Sequence, residues 1–150
     1  LLTLMRVEKN SMKKINKHNQ DGFTMVEIMV VVVIVAILAA VALPTYFALV
    51  QNAYASEPKT VISNIENAGK MYYQTYGEWP SDIEEMERRG LLEVDRSTKS
   101  KWQFELNMSL DGGTITAEST EEMKGGAGKI VVFDRSRGKF LGFGSKEEVE

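Results

Sequence analysis

From Ile28 to Leu43 every residue is Val, Ile, Leu, Ala or Met, and no charged side chain appears between Glu27 and Glu57. A run of roughly 20 uncharged, mostly apolar residues is long enough to cross about 30 Å of hydrocarbon as a helix. Only a helix or a closed barrel satisfies its own backbone there, and a single segment cannot close a barrel. The run therefore predicts a transmembrane helix. Pro44 removes one backbone hydrogen bond and is expected to bend or loosen that helix rather than end it, with Pro58 as a second candidate bend. Tyr46, Phe47 and Tyr54 fall where the chain would leave the bilayer and suit interfacial anchoring.

Beyond Pro58 the pattern changes from apolar all round to a stripe. Val61, Ile65, Ala68, Tyr72 and Tyr76 recur at steps of four and three, one face of an amphipathic helix, with Lys59, Asn64, Glu66 and Lys70 facing water or neighbours. If continuous from Phe23 to Tyr76, this helix would be about 80 Å long at roughly 1.5 Å per residue. Gly77 reads as its stop. Ser81 with Glu84 fits a capping box for a short helix through Ile83 and Met86 that ends at Gly90. The charges around it (Glu84, Glu85, Glu87, Arg88, Arg89) read as a solvated face.

The last third has period two. Trp102, Phe104, Leu106, Met108 and Leu110 alternate with polar residues, the signature of a half-buried strand. Asp111-Gly112-Gly113 signals a hairpin, and Thr114 to Ser119 forms the partner strand with Ile115 and Ala117 facing the helix. Glu118 to Gly128 is polar and glycine-rich, an exposed loop. Ile130–Phe133 and Lys139–Phe143 read as two further strands around Asp134-Arg135-Ser136-Arg137-Gly138, followed by a frayed tail. The expected fold is α+β: one long N-terminal helix, transmembrane in its first half and kinked near Pro44, packed on a small C-terminal antiparallel sheet. The expected divisions are a leader over 1–22, the hydrophobic helix over 23–55, and a soluble head over 56–150. Within the head, the helix continues over 56–76, with a linker over 77–101, a sheet over 102–143 and a tail over 144–150.

Composition narrows the chemistry. The chain has 150 residues and no cysteine, so disulfides and cysteine-rich metal sites are excluded. Its one histidine, His18, lies in the leader. Once that leader is removed, histidine-dependent nucleophilic catalysis and histidine metal sites are excluded as well. We expect no catalytic activity and no cofactor. Gly125-Gly126-Ala127-Gly128-Lys129 lacks the spacing and the strand-to-helix context of a phosphate loop. Glu118, Glu121 and Glu122 offer few of the six to eight oxygens calcium takes. The leader carries five cations against Glu8 and Asp21, a net of +3, which leaves −6 from Phe23 onward in a chain of net −3. Met5 and Met12 are both candidate starts, and Met12-Lys13-Lys14 reads best because it leaves a short basic peptide. Positive charge before the span and an acidic head after it predict a cytoplasmic leader and an external head. A negative surface also argues against nucleic acid as a partner.

Glu27 is the one charge near the start of the apolar run. A carboxylate in hydrocarbon costs roughly 2.5–3.5 kcal/mol at a helix centre and less near the interface, so it usually has a partner. Two readings stay open on the residues alone. Glu27 lies at headgroup level and favours the first helical turn through the macrodipole, or it meets a positive charge such as a new amino terminus at Phe23.

Gly22 followed by Phe23-Thr24-Met25-Val26-Glu27, the apolar run and Pro44 together resemble the N-terminus of type IV pilins and type II secretion pseudopilins. The likeness covers about thirty residues, and Tyr76-Gly77-Glu78-Trp79-Pro80 with a short acidic helix is similar to the linker that follows the long pilin helix. The resemblance implies that a prepilin peptidase cuts between Gly22 and Phe23 and methylates the Phe23 amine. It also implies that Glu27 pairs with the amino terminus of a neighbouring subunit. Implied partners are other copies or related pilins, the peptidase, membrane lipid, and indirectly an inner-membrane assembly platform with its ATPase. The implied location is the bacterial inner membrane, crossed once, and afterwards a periplasmic pseudopilus or extracellular pilus. The sequence departs from the family in two places. Major pseudopilins carry an acidic calcium loop near the C-terminus, whereas this sequence offers only Asp111 and Asp134, far apart and each beside a turn; the disulfide of many pilins has no cysteines here, so the subclass stays open.

Rival readings follow from the same residues. Ala53-Tyr54-Ala55 before Ser56 satisfies a small-residue signal-cleavage rule, although the apolar run is longer than the usual h-region of about 7–15 residues. A single-pass envelope protein whose head binds a partner without polymerising is the main alternative. A membrane-tethered enzyme working through carboxylates is the other. Gly22 and Glu27 favour the filament subunit, because an ordinary anchor gains nothing from either.

Overall fold

Residues 22–147 are described by a computed structural model. The unbroken apolar run and the stripe that follows it form one 52-residue helix, α1 (Met25–Tyr76), which keeps helical backbone through Pro44 and Pro58. Of the described residues, those up to Leu38 form one compact unit and those from Ala39 another. In the first unit the helix surface is apolar all round and exposed. Among the described residues α1 is the one helix long and apolar enough to cross a membrane. A helix apolar on every side has no preferred face for a soluble core, which fits a lipid or helix-bundle environment.

The second unit holds the sheet. Helices α2 (Ile83–Arg88) and α3 (Arg96–Lys101) precede strands β1 (Trp102–Ser109), β2 (Gly112–Ser119), β3 (Ile130–Asp134) and β4 (Lys139–Gly142). The strands pair in chain order as an antiparallel meander. Opposite Ile115 of β2 lie Leu106 on β1 and Phe133 on β3, and Val131 on β3 faces Ala117. Alternation along the strands sends one set of side chains inward, and Trp102, Ile115, Ala117 and Val131 are buried there with Ile62, Ile65, Ala68 and Tyr72 of α1. This is the α+β arrangement that the pattern predicts.

Several local expectations shift by a residue or two. The buried face of α1 runs Ala55, Pro58, Ile62, Ile65, Gly69 and Tyr72, an alternation of three and four, whereas Tyr76 is exposed and Val61 only half-buried. Gly77 does end the helix, with φ +80 and its N–H donating to the Tyr73 carbonyl at 2.8 Å. The α2 capping box sits one residue later than Ser81/Glu84. Asp82 accepts from the Glu85 N–H at 2.8 Å, and Glu85 accepts in return from the Ser81 N–H and hydroxyl, each at 3.2 Å. Gly90, at φ +70, closes α2, with the Leu91 N–H reaching the Met86 carbonyl at 3.0 Å in a Schellman-type stop.

The presumed linker contains a helix. Arg96-Ser97-Thr98-Lys99-Ser100-Lys101 has no apolar period, and tertiary ion pairs hold it. Glu57 accepts from Thr98 at 2.8 Å and from Lys101 at 2.9 Å, and Lys99 pairs with Glu87 at 2.8 Å. The expected solvated face on α2 is correspondingly engaged, since Tyr72 also donates to Glu85 at 2.6 Å and Arg89 lies over the Tyr76 ring.

The hairpin turn is Leu110-Asp111, because Ser109 pairs with Gly112. Leu110 therefore projects from the turn at 73 % exposure instead of continuing the buried set. The glycine-rich stretch after β2 folds back on the core. Met123 is buried, and Ser119 Oγ donates to the Gly126 carbonyl at 2.7 Å while accepting from the Lys129 N–H at 2.8 Å.

Residues 144–147 are tied down rather than frayed. Gly142 N–H donates to the Glu147 carbonyl at 2.8 Å, and Lys139 pairs with Glu147 at 3.0 Å. Gly144, at φ +67, lies so close to α1 that an added Cβ would fall 2.3 Å from the Ala55 Cβ. Glu66, expected to face water or neighbours, has a side chain only 12 % exposed that pairs with Arg135 Nε at 2.7 Å. Residues 1–21 of the leader, with His18, and the last residues of the tail, 148–150, lie outside the described residues.

Candidate functional site

Thr24 and Glu27 build the start of α1 between them. The Glu27 N–H donates to Thr24 Oγ1 at 3.2 Å. In return Glu27 Oε2 accepts from the Thr24 N–H and from the Thr24 hydroxyl, each at 2.7 Å. This is a reciprocal capping box, with Thr24 at the N-cap and Glu27 at the third helical position. It satisfies backbone N–H groups that the first helical turn otherwise leaves open, and it places a negative charge at the positive end of the helix. The signal was present in the sequence as Thr-x-x-Glu ahead of an apolar run. Both donors reach Oε2, so Oε1 is the carboxylate oxygen without a donor among the described residues.

Among the described residues, those flanking this cap are apolar and uncovered. Phe23 is 84 % exposed and Met25 80 %. Gly22 precedes them, and apart from its chain neighbours no atom of the described residues lies within 4 Å of where a Cβ would stand. The residues flanking the Gly22–Phe23 bond are therefore accessible, and the bond lies two residues ahead of the first residue of α1. Pro44 lies within α1 beyond the apolar run, with Thr45, Tyr46 and Phe47 directly after it; the two rings meet edge to face at 6.0 Å.

No group of three or more His, Cys, Asp or Glu side chains among the described residues is placed to hold a metal. Asp111 sits in the β1–β2 turn. Asp134 folds onto its own turn, accepting from the Ser136 hydroxyl at 2.5 Å and N–H at 2.9 Å. Those hydrogen bonds hold the Asp134 carboxyl below its usual range, and the nearby Arg137 contributes to the lowering. Its oxygens are used to close the β3–β4 turn.

Residues 17–43 match the prokaryotic N-terminal methylation motif. The fimbrial protein EcpC of Eikenella corrodens is 34 % identical over 119 residues, 77 % of this chain and 74 % of that protein. A fimbrial protein of Neisseria meningitidis serogroup A is 37 % identical over 98 residues, 65 % of this chain and 54 % of that protein. The type IV major pilin protein PilE of Neisseria gonorrhoeae is 35 % identical over 98 residues, 65 % of this chain and 55 % of that protein. The match thus spans about half the length of the Neisseria relatives. The helix-on-sheet fold and the capped apolar helix start define a pilin-type protein. The chain belongs to the type IV pilin family, a family of structural proteins.

Proposed function

We propose that this protein is a subunit of a type IV pilus, stored in the bacterial inner membrane by α1 and assembled through that same helix into a filament. The observation that carries the reading is the exposed, uncharged helix surface beginning directly after a capped Thr24–Glu27 pair, in the segment that matches the methylation motif. In this reading a prepilin peptidase cuts between Gly22 and Phe23 and methylates the new Phe23 amine. The leader is cytoplasmic and the head periplasmic before assembly, and an inner-membrane platform with its ATPase drives extrusion. The apolar surface leaves lipid and is buried against other copies. Contacts between unlike patches on successive subunits do not close, which gives an open helical polymer. Pro44 marks the bend or loosened turn in that helix. Relatives named as type IV pilins favour a pilus over a secretion pseudopilus.

Glu27 is the proposed docking contact. Its carboxylate is anchored through Oε2 to Thr24, which leaves Oε1 oriented for a positive charge on a neighbouring subunit. The anchoring restricts the side chain, so less rotamer freedom is lost on docking.

Co-expression with a prepilin peptidase followed by N-terminal sequencing tests the processing step. The expected mature chain begins at Phe23 with a methylated amine. Any other mature terminus, including Ser56, overturns the reading in favour of a different processing route.

A further inference from the structure

Beside the helix, at the end of β4, lies an open cleft of about 490 Å³. It is lined by Gln51, Asn52 and Lys59 of α1 and by Phe140, Ser145 and Lys146 of the sheet's last strand and the segment after it. Its volume is in the range of small-ligand sites, about 300–1,000 Å³, and its lining mixes apolar surface with several hydrogen-bond donors. Gln51 and Asn52 supply amides and Lys59 and Lys146 supply ammonium groups. The Ser145 hydroxyl is shielded from water and has no partner among the described residues.

Lys59 is the unusual member. Its ammonium donates to the Gly144 carbonyl and stands 5.7 Å from the centre of the Phe140 ring. Neither group carries a compensating charge, and among the described residues no carboxylate pairs with it. Partial burial lowers the Lys59 pKa, as expected for a cation without a counter-charge. By contrast, Lys99, Lys101 and Lys139 of the same unit all have carboxylate partners. A lysine held in a cleft with two of its three donors unspent is suited to receive an anion. The segment that carries Ser145 and Lys146 is fixed by the close approach of Gly144 to Ala55, so the site is preformed.

The position along α1 narrows the class of anion. Tyr46 and Phe47 separate the apolar run from Gln51 and Asn52, and belts of Tyr and other aromatics mark headgroup level. On the reading that the apolar run is held in a bilayer before assembly, Gln51 stands about 6 Å and Lys59 about 18 Å beyond Phe47 along the helix, so the near end of the cleft opens toward the outer headgroups, where phosphate is the abundant anion. We propose that this cleft binds a phosphate group, as carried by an anionic phospholipid headgroup or by free phosphate, with Lys59 and Lys146 as its charged contacts. Occupancy would hold the head against the membrane before assembly and would be lost on extraction of the subunit. The inference rests on the membrane-stored reading above.

The test uses the full chain reconstituted in nanodiscs of mixed phosphatidylglycerol and phosphatidylcholine, released into detergent and weighed with its retained lipid by native mass spectrometry. Preferential retention of phosphatidylglycerol is expected. Lys59→Gln and Lys146→Gln should each weaken that preference about fivefold, in line with the attraction of one lysine to an anionic surface, while Lys59→Arg retains it. Circular dichroism of each variant separates loss of binding from loss of fold. A second arm adds inorganic phosphate. Competition assigns the site to the phosphate group itself, and retention unaffected by phosphate assigns it to the lipid. Equal retention by the parent and both glutamine variants overturns the proposal. So does normal lipid retention combined with weakened association between copies, which would make the cleft a subunit contact. Carbonate extraction of the parent from cell membranes reads the underlying assumption separately, because a chain released by carbonate is not membrane-stored.

Discussion

Glu27 is a cap and, in the proposed function, a docking charge, and substitution can separate the two roles. Glutamine at the third helical position still reaches back to an N-cap, whereas alanine does not. Glu27→Gln should therefore keep the start of α1 but remove the charge, and Glu27→Ala should lose both. If docking needs the charge, both variants insert into membranes normally and both lower filament yield, as counted by electron microscopy. A Glu27→Gln variant that polymerises like the parent would reduce Glu27 to a cap. Arg135 shows the opposite balance, a charge whose work is internal. It is nearly buried, pairs with Glu66, stacks over Trp79 at 4.4 Å, and donates to the Ser109 and Gly112 carbonyls. Arg135→Ala leaves Glu66 with Lys70 as its cation partner and strands two carbonyls, and breaking such a nearly buried pair costs about 3 kcal/mol. Urea unfolding of the full chain in detergent should show a midpoint shift of that size. A shift under about 0.5 kcal/mol would place Arg135 with ordinary surface charges.

At the level of elements, α3 and the segment after β4 owe their places to contacts with α1. Glu57 is the first charge after the apolar run, and it anchors α3 through Thr98 and Lys101. Desolvation pushes the Glu57 carboxyl up, but hydrogen bonds from Lys101 and Thr98, with the Lys101 charge, bring the net shift below the usual range. Glu57→Gln should accelerate amide exchange over Arg96–Lys101 while leaving β2 protected. Exchange unchanged in α3 would mean that the local backbone holds it without Glu57. Gly144→Ala tests the other junction. The new Cβ meets both a left-handed backbone and the Ala55 methyl, and a strained backbone of this kind costs roughly 1–3 kcal/mol. The expected result is a lower melting temperature and weaker protection of β4.

The whole molecule should be acid-sensitive. Glu57, Glu85 and Asp134 all have carboxyls held below their ordinary values, Glu85 chiefly by the Tyr72 hydroxyl and then by the Ser81 N–H. A lowered folded pKa means that the unfolded chain binds more protons. Stability is therefore fully present above the unfolded carboxylate values of about 3.9–4.3 and is lost as pH falls through and below them. Tyr72 has the reverse sign. Its hydrogen bond to Glu85 raises its pKa, so its contribution is complete below about pH 10 and fades as the hydroxyl ionises. Melting curves should be nearly level between pH 6 and 8 and fall in midpoint at pH 3. A midpoint unchanged at pH 3 would show that these carboxylates add nothing to stability.

By itself the sequence determined what depends on local pattern and composition. The absence of charge from Ile28 to Ser56 specifies a helix apolar on every side, period two specifies the strands, and Gly77 and Gly90 mark helix ends because their backbones turn left-handed. The candidate positions Gly22, Phe23 and Glu27 stand out for the same reason, as neighbours in a short linear motif, and the Thr24–Glu27 cap, not read from the sequence, also has a local Thr-x-x-Glu signal. Tertiary structure alone decided what depends on residues distant in the chain. Glu66 is buried only because Arg135, 69 positions later, returns to it. Arg96–Lys101 is helical against a polar sequence because Glu57 lies across from it. Leu110 leaves the core because pairing of Ser109 with Gly112 puts the turn one residue earlier than Asp-Gly suggests. The cleft around Lys59 likewise exists only where the end of β4 closes against α1, bringing together residues that no spacing along the chain connects.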